Sequence, residues 1–130
     1  MSRVYRPSHV RVMAAVECAW VGAVIDTDGT AMYTHSNHGR RPRATIQFYQ
    51  MPNEMGLELL SALFRATGVG YLTNHHAPKL HEATYGNRVI HSRTPLWGWG
   101  INARNEVMDI IRQCWPYSVK LQRLMQKMWE

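Results

Sequence analysis

The chain has 130 residues, a single-domain length with room for one buried core. With 45% hydrophobic and 18% charged residues and a mean hydropathy of -0.35, it reads as a globular protein and not as a collagen-like, disordered or membrane-embedded one. Its 15 basic side chains against 9 acidic ones give a formal charge of +6, which favours a polyanionic partner such as nucleic acid.

The first predicted element is a helix over about 8–25, with Pro7 and Ser8 as start signals and Gly29 as the stop. Ala15, Ala19, Gly22 and Ala23 form a small-residue stripe along it, which permits close approach of another helix; packing on the chain's own sheet is the simpler use of such a stripe. The pattern then changes to period 2. In 30–36, Thr30, Met32, Thr34 and Ser36 alternate with Ala31, Tyr33 and His35. In 43–50, Arg43, Thr45 and Gln47 alternate with Ala44, Ile46 and Phe48. This predicts a hairpin with one apolar and one polar, basic face, as in an antiparallel sheet lying over helices.

Met55, Leu59, Leu60, Leu63 and Phe64 predict a second helix over 53–67, ended by Gly68-Val69-Gly70. A strand follows over 69–75. Residues 76–94, rich in His, Pro, Gly, Asn and Arg, read as an irregular stretch, and 96–101 as the returning strand. Helices over 105–114 and from 118 onwards complete the chain. The expected architecture is α+β, in the order αββαββα plus a C-terminal helix, within one domain over 1–130.

Cys18 and Cys114 lie in apolar helical runs without CxxC spacing, so both are expected as buried, reduced thiols. No secretory leader is expected, and the longest apolar stretch, 18–25, is too short to span a membrane. Twelve of the 15 basic residues are Arg, which suits bidentate contact with guanine and phosphate. GC-rich coding produces the same bias, and argues against an AT-rich organelle genome. His75, His76 and His81 cluster in sequence, but no Cys or acidic residue completes a zinc-ligand set at a known spacing.

The segment 21–29, VGAVIDTDG, is small and apolar until two carboxylates appear at its end. Asp28 sits where the helix stops, at the pole that repels negative charge, so a compensating cation is called for. A hard divalent ion such as Mg²⁺ would serve. An ordinary Asp-Gly turn opening the hairpin accounts for the same residues.

Three features together resemble the LAGLIDADG homing endonuclease family, over most of 16–129: this nonapeptide, the junction Thr67-Gly-Val-Gly-Tyr71, and the run Trp115-Pro-Tyr-Ser-Val-Lys-Leu-Gln. The sequence departs from the family in reading Gly22-Ala23 where Ala-Gly is usual, and in the long stretch 76–94. The resemblance implies a four-stranded antiparallel sheet forming a saddle in each subunit. A single motif implies a homodimer joined through Ala15, Ala19, Gly22 and Ala23. It implies Asp28 and the backbone carbonyl of Thr27 as ligands of Mg²⁺, or of Mn²⁺ or Ca²⁺ in the same site. Asp28, Lys120 and Gln50 are the implied catalytic residues, and Asp26 is a structural carboxylate behind them.

The resemblance also places the polar sheet face on double-stranded DNA. Met32, Thr34, Ser36, Arg41, Arg43, Thr45, Gln47, Thr73, His75, Arg93 and Trp97 are implied base-facing positions, and Arg40 and Arg88 phosphate contacts. The implied activity is site-specific double-strand cleavage of a long, pseudo-palindromic target by an intron-encoded enzyme. The setting would be the cytoplasm of a prokaryote or phage-infected cell, at the nucleoid. The alternative is a non-cleaving nucleic-acid binder of the same fold, such as a maturase of intron RNA.

Overall fold

The computed structural model describes residues 8–34, 42–51, 53–75, 81–85, 88–92 and 96–129. The elements are α1 (Ala15–Asp28), β1 (Gly29–Thr34), β2 (Arg43–Gln50), α2 (Glu54–Thr67), β3 (Tyr71–His75), β4 (His81–Tyr85), β5 (Arg88–Ser92), β6 (Leu96–Ile101), α3 (Arg104–Cys114), a 3₁₀ turn at Trp115–Tyr117, and α4 (Val119–Met128). Four strands form one antiparallel sheet in the order β1-β2-β6-β3, and β4 and β5 pair separately.

Core residues of α1 (Cys18, Val21, Ile25), α2 (Leu60, Leu63), α3 (Val107, Ile110, Ile111) and α4 (Leu121, Leu124) meet those of the sheet (Ala44, Ile46, Phe48, Trp99, Ile101). All the sheet members of this core have one parity, so the opposite parity points away from the helices.

Two expectations are corrected. The first helix begins at Ala15 and ends at Asp28; it does not run over 8–25. Tertiary contacts hold 8–14 out of the helix. Arg11 N donates to Thr67 O at 2.8 Å, and its guanidinium donates to Arg65 O and Ala66 O, capping the end of α2. On the other side Met13 N donates to Gln113 Oε1 at 2.8 Å, and Gln113 Nε2 donates to Arg11 O. The helix starts where Glu17 Oε1 accepts the Ala14 N–H at 3.0 Å. The second correction concerns 76–94: instead of an irregular stretch, it carries the β4–β5 ladder, with His81 opposite Ser92 and Tyr85 opposite Arg88.

The junction after α2 is fixed by its glycines and one indole. Asn53 Oδ1 caps the start of α2 by accepting from Gly56 N, and Gly68 ends it with φ of 72°. Trp99 Nε1 donates to Val69 O at 2.8 Å, and a Cβ on Gly70, whose φ is 121°, would run into the Trp99 ring.

Gly22 departs from its expected place at a subunit interface. It is buried, and a Cβ there would lie 2.8 Å from the Tyr117 backbone oxygen, so the glycine admits the 3₁₀ turn against α1 within the chain. Gly22→Val should therefore destabilise the folded monomer by about 2 kcal/mol or more, since clash with backbone outweighs the helix propensity gained. Urea unfolding checks this. A stability equal to wild type would mean that the turn yields freely.

Candidate functional site

Asp26 and Asp28, two residues apart at the end of α1, have different surroundings. Asp28 is exposed at the tip. Asp26 is half-buried against the start of α4: Oδ1 accepts from the Ser118 hydroxyl at 2.7 Å and from Lys120 N at 3.1 Å, and Oδ2 from Val119 N at 2.9 Å. Partial burial pushes the Asp26 carboxyl up. The bonds from Ser118, Val119 and Lys120, and the Lys120 charge, outweigh it and hold the group below the usual carboxylate range. A carboxylate that its own helix end disfavours is thus satisfied by the unpaired amides and positive pole of α4.

Lys120 rises from that same turn, and its Nζ donates to Gly29 O at 2.7 Å, one residue past Asp28. The fold thereby brings together residues 28 and 120, which are far apart in sequence. Arg11–Glu17 is the one ion pair among the described residues, and Lys120 holds the Gly29 carbonyl and makes no ion pair with Asp28. Gln50 ends β2 on the helix-facing side. Gly29 pairs with Phe48, so Gln50 stands at the end of the inner strand β2, near where α1 hands over to β1.

A divalent cation fits this tip in kind. The donors are hard oxygens: the exposed Asp28 carboxylate and the carbonyl of Thr27, one of the last helical carbonyls that lack an intrahelical donor. The Thr27 hydroxyl donates back along the helix to Ala23 O and Val24 O at 3.1 Å. No group of three or more His, Cys, Asp or Glu converges among the described residues.

α1 is apolar on both sides. Opposite its buried face, Val16 is 76% exposed, Ala15 and Ala23 are exposed and Ala19 is half-buried; Val12, just before the helix, is 91% exposed. Of the expected interface residues, Ala15, Ala19 and Ala23 are thus accessible and Gly22 is not.

On the outer sheet face, Met32 lies opposite Thr45 and Thr34 opposite Arg43, with Gln47 in the same parity. Thr73 pairs with Gly98 and His75 with Leu96, register positions of that same face. Trp97 corrects the expectation: it pairs with Gln50 and Asn74, which puts it on the helix-facing side, half-buried against the core. Ser36, Arg40, Arg41 and Arg93 lie outside the described residues, and Arg88 begins β5 in the separate ladder.

The outer face also holds Thr30, Tyr49 and Tyr71, which sequence reading passed over. The alternation already contained Thr30, and extending the 43–47 parity by two residues finds Tyr49. Gly98 and Gly100 of β6 share this face, and the Tyr71 ring lies 3.1 Å from where a Gly100 Cβ would stand.

Both cysteines are free and buried. Burial, reinforced by neighbouring Cys18, pushes the Cys114 thiol up to about 12. Among the described residues no helix is long and apolar enough to cross a membrane.

No family model matches the sequence, and no curated protein is similar to it. Solved structures do match. The homing endonuclease I-CvuI, in complex with its target in the presence of calcium, gives a TM-score of 0.56 at 12% identity, over 86% of this chain and 65% of that one. The meganuclease I-SmaMI bound to uncleaveable DNA gives 0.54 at 15% identity, over 83% of this chain and 34% of that one. The chain thus spans just under two thirds of I-CvuI and about a third of I-SmaMI. Identities this low speak for architecture alone, and the architecture agrees with what the motif at the end of α1 implies: the fold is that of the LAGLIDADG homing endonucleases.

Proposed function

We propose that the chain is one subunit of a homodimeric, divalent-metal-dependent, site-specific DNA endonuclease of the single-motif LAGLIDADG type. The observation that carries this reading is the Lys120 ammonium hydrogen-bonded to Gly29 O beside the exposed Asp28 carboxylate. The apolar outer face of α1 supports pairing with a second copy, which would bring two Asp28 tips together. The length relation supports it too, since this chain matches a third of I-SmaMI.

In this reading Asp28 and the Thr27 carbonyl of each subunit hold the cation. When bound, it supplies Lewis-acid stabilisation of the scissile phosphate and the leaving oxygen. Lys120 stabilises the charge that develops on the phosphate, from a position set before substrate arrives. Gln50, at the end of β2, orients the attacking water by hydrogen bonding. The outer face, with Arg43, Thr45, Gln47, Thr34 and Met32, lies in the major groove, where Arg suits guanine, Gln suits adenine and Met touches the thymine methyl. Two-fold pairing of subunits makes the preferred target pseudo-palindromic. I-CvuI and I-SmaMI were each solved on DNA, which supports DNA as the partner.

The test is incubation with Mg²⁺ and DNA that joins the two sequences flanking the encoding intron. Paired nicks that yield one double-strand break are expected. Tight binding without cleavage would favour the non-cleaving reading, in which the same surface serves an intron RNA or a DNA site. Binding should weaken at least about 100-fold between roughly 50 and 200 mM salt, because basic side chains release counterions from the phosphates. A flat salt response in a filter-binding titration would remove the electrostatic argument.

A further inference from the structure

We propose that Asp26 is the positioning residue for Lys120. Its carboxylate ties the first turn of α4 to the end of α1, so that the Lys120 ammonium reaches the Gly29 carbonyl. This rests on the nuclease reading for its functional consequence, but its geometry stands apart from it.

The contacts close a ring. From Asp26, three hydrogen bonds lead to Ser118, Val119 and Lys120; from Lys120, the side chain returns to Gly29, three residues beyond Asp26. Ser118 locks the ring a second time. It is 1% exposed, and its hydroxyl donates to Asp26 while accepting from Leu121 N at 3.1 Å, as the cap of α4. The carboxylate thus grips α4 through both its backbone and its cap. A lysine side chain has four rotatable carbon-chain bonds, and an unanchored one spreads over many rotamers. Fixing the helix that carries it, to within a turn of the helix that carries Asp28, removes that spread at the reacting centre. Displacements of about 1 Å in such a group cost up to about 100-fold in rate.

The chain has three lysines, Lys79, Lys120 and Lys127, so ¹³C-lysine labelling of the full chain gives three side-chain signals, with Lys120 assigned by its loss in Lys120→Arg. In wild type the Lys120 Cε signal is expected apart from those of solvated lysines. In Asp26→Asn, which keeps the size of the side chain but puts an amide donor against the α4 amides, it should collapse towards them. The single-turnover cleavage rate on saturating DNA should fall about 10- to 100-fold with DNA affinity changed less than about threefold. Should Asp26→Asn fail to fold, Ser118→Ala removes the hydroxyl's bond to Asp26 and its cap on Leu121 N but leaves both backbone bonds to the carboxylate, and should move signal and rate in the same direction by less.

A Lys120 signal unmoved by either variant overturns the proposal, as does a moved signal with an unchanged rate. If wild type itself does not cleave, the nuclease reading fails. The Lys120 signal then decides the positioning role alone.

Discussion

Asp28→Asn is expected to reduce Mg²⁺-dependent cleavage roughly 1,000-fold or more, the scale of losing a group that stabilises the transition state in a closed site. Binding to the same DNA should stay within a few-fold, because Asp28 lies at the tip of α1 and not on the sheet face that would read bases. The physical reason is charge. Asparagine keeps the size and one carbonyl oxygen but loses the negative charge that holds a divalent cation at a helix end. In the proposed dimer the substitution strikes both strands at once. Side-by-side cleavage and mobility-shift assays check the separation. Retained cleavage would mean that Asp28 is an ordinary turn residue, and loss of binding along with cleavage would mean that the tip contributes to docking.

The second large effect is expected at Val16. This side chain is 76% exposed in the single chain, on a helix whose other side is core. Val16→Glu leaves the subunit's interior untouched, yet it places a charge on the apolar face of the proposed contact, twice over because of the two-fold axis. The dimer dissociation constant should rise roughly 100-fold or more. Sedimentation equilibrium measures it, with circular dichroism to establish an unchanged fold. A wild type that sediments as a monomer at every concentration would overturn the interface. Gly22→Val in this monomeric background isolates the one small residue of the stripe that packs against Tyr117 of its own chain.

These two neighbours on one helix show why part of the site was legible and part was not. Gly22 and Ala23 are adjacent small residues, about 100° apart around the axis. Composition marks both as permitting close approach, but only the position of the 3₁₀ turn decides which faces inward. The stop signal of α1 at Gly29 was legible, although the helix runs on to Asp28, three residues past the expected end at 25, whereas its start was not. Nothing in 8–14 forbids a helix. Hydrogen bonds to Thr67 and Gln113, remote in sequence, hold that segment out of the helix. The first hairpin's faces were legible from strict alternation in 43–48.

Trp97 was not legible, because Trp and Gly alternate in 97–100 and parity there depends on which row Gln50 joins. The ladder in 81–92 did leave a signal, Gly86-Asn87 between two five-residue runs, a pair that commonly turns a hairpin. The polar, histidine-rich composition of the surrounding stretch masked it. The pairing of Lys120 with the Asp28 end was reached only through the family resemblance. The chain's own chemistry gives no hint that residue 120 returns to Gly29.

If the proposed dimer is the working form, a helix greasy on both flanks would tie output to abundance. Below the dimer's dissociation constant, a scarce chain would form working pairs in proportion to the square of its copy number, so halving expression would quarter the cutting. A trickle of translation would leave a host chromosome intact. A burst, as after entry into a fresh cell, would cross into the regime where nearly every chain has found its mate. In the proposed dimer, the exposed Val12 and Val16 would thus act as a dose threshold.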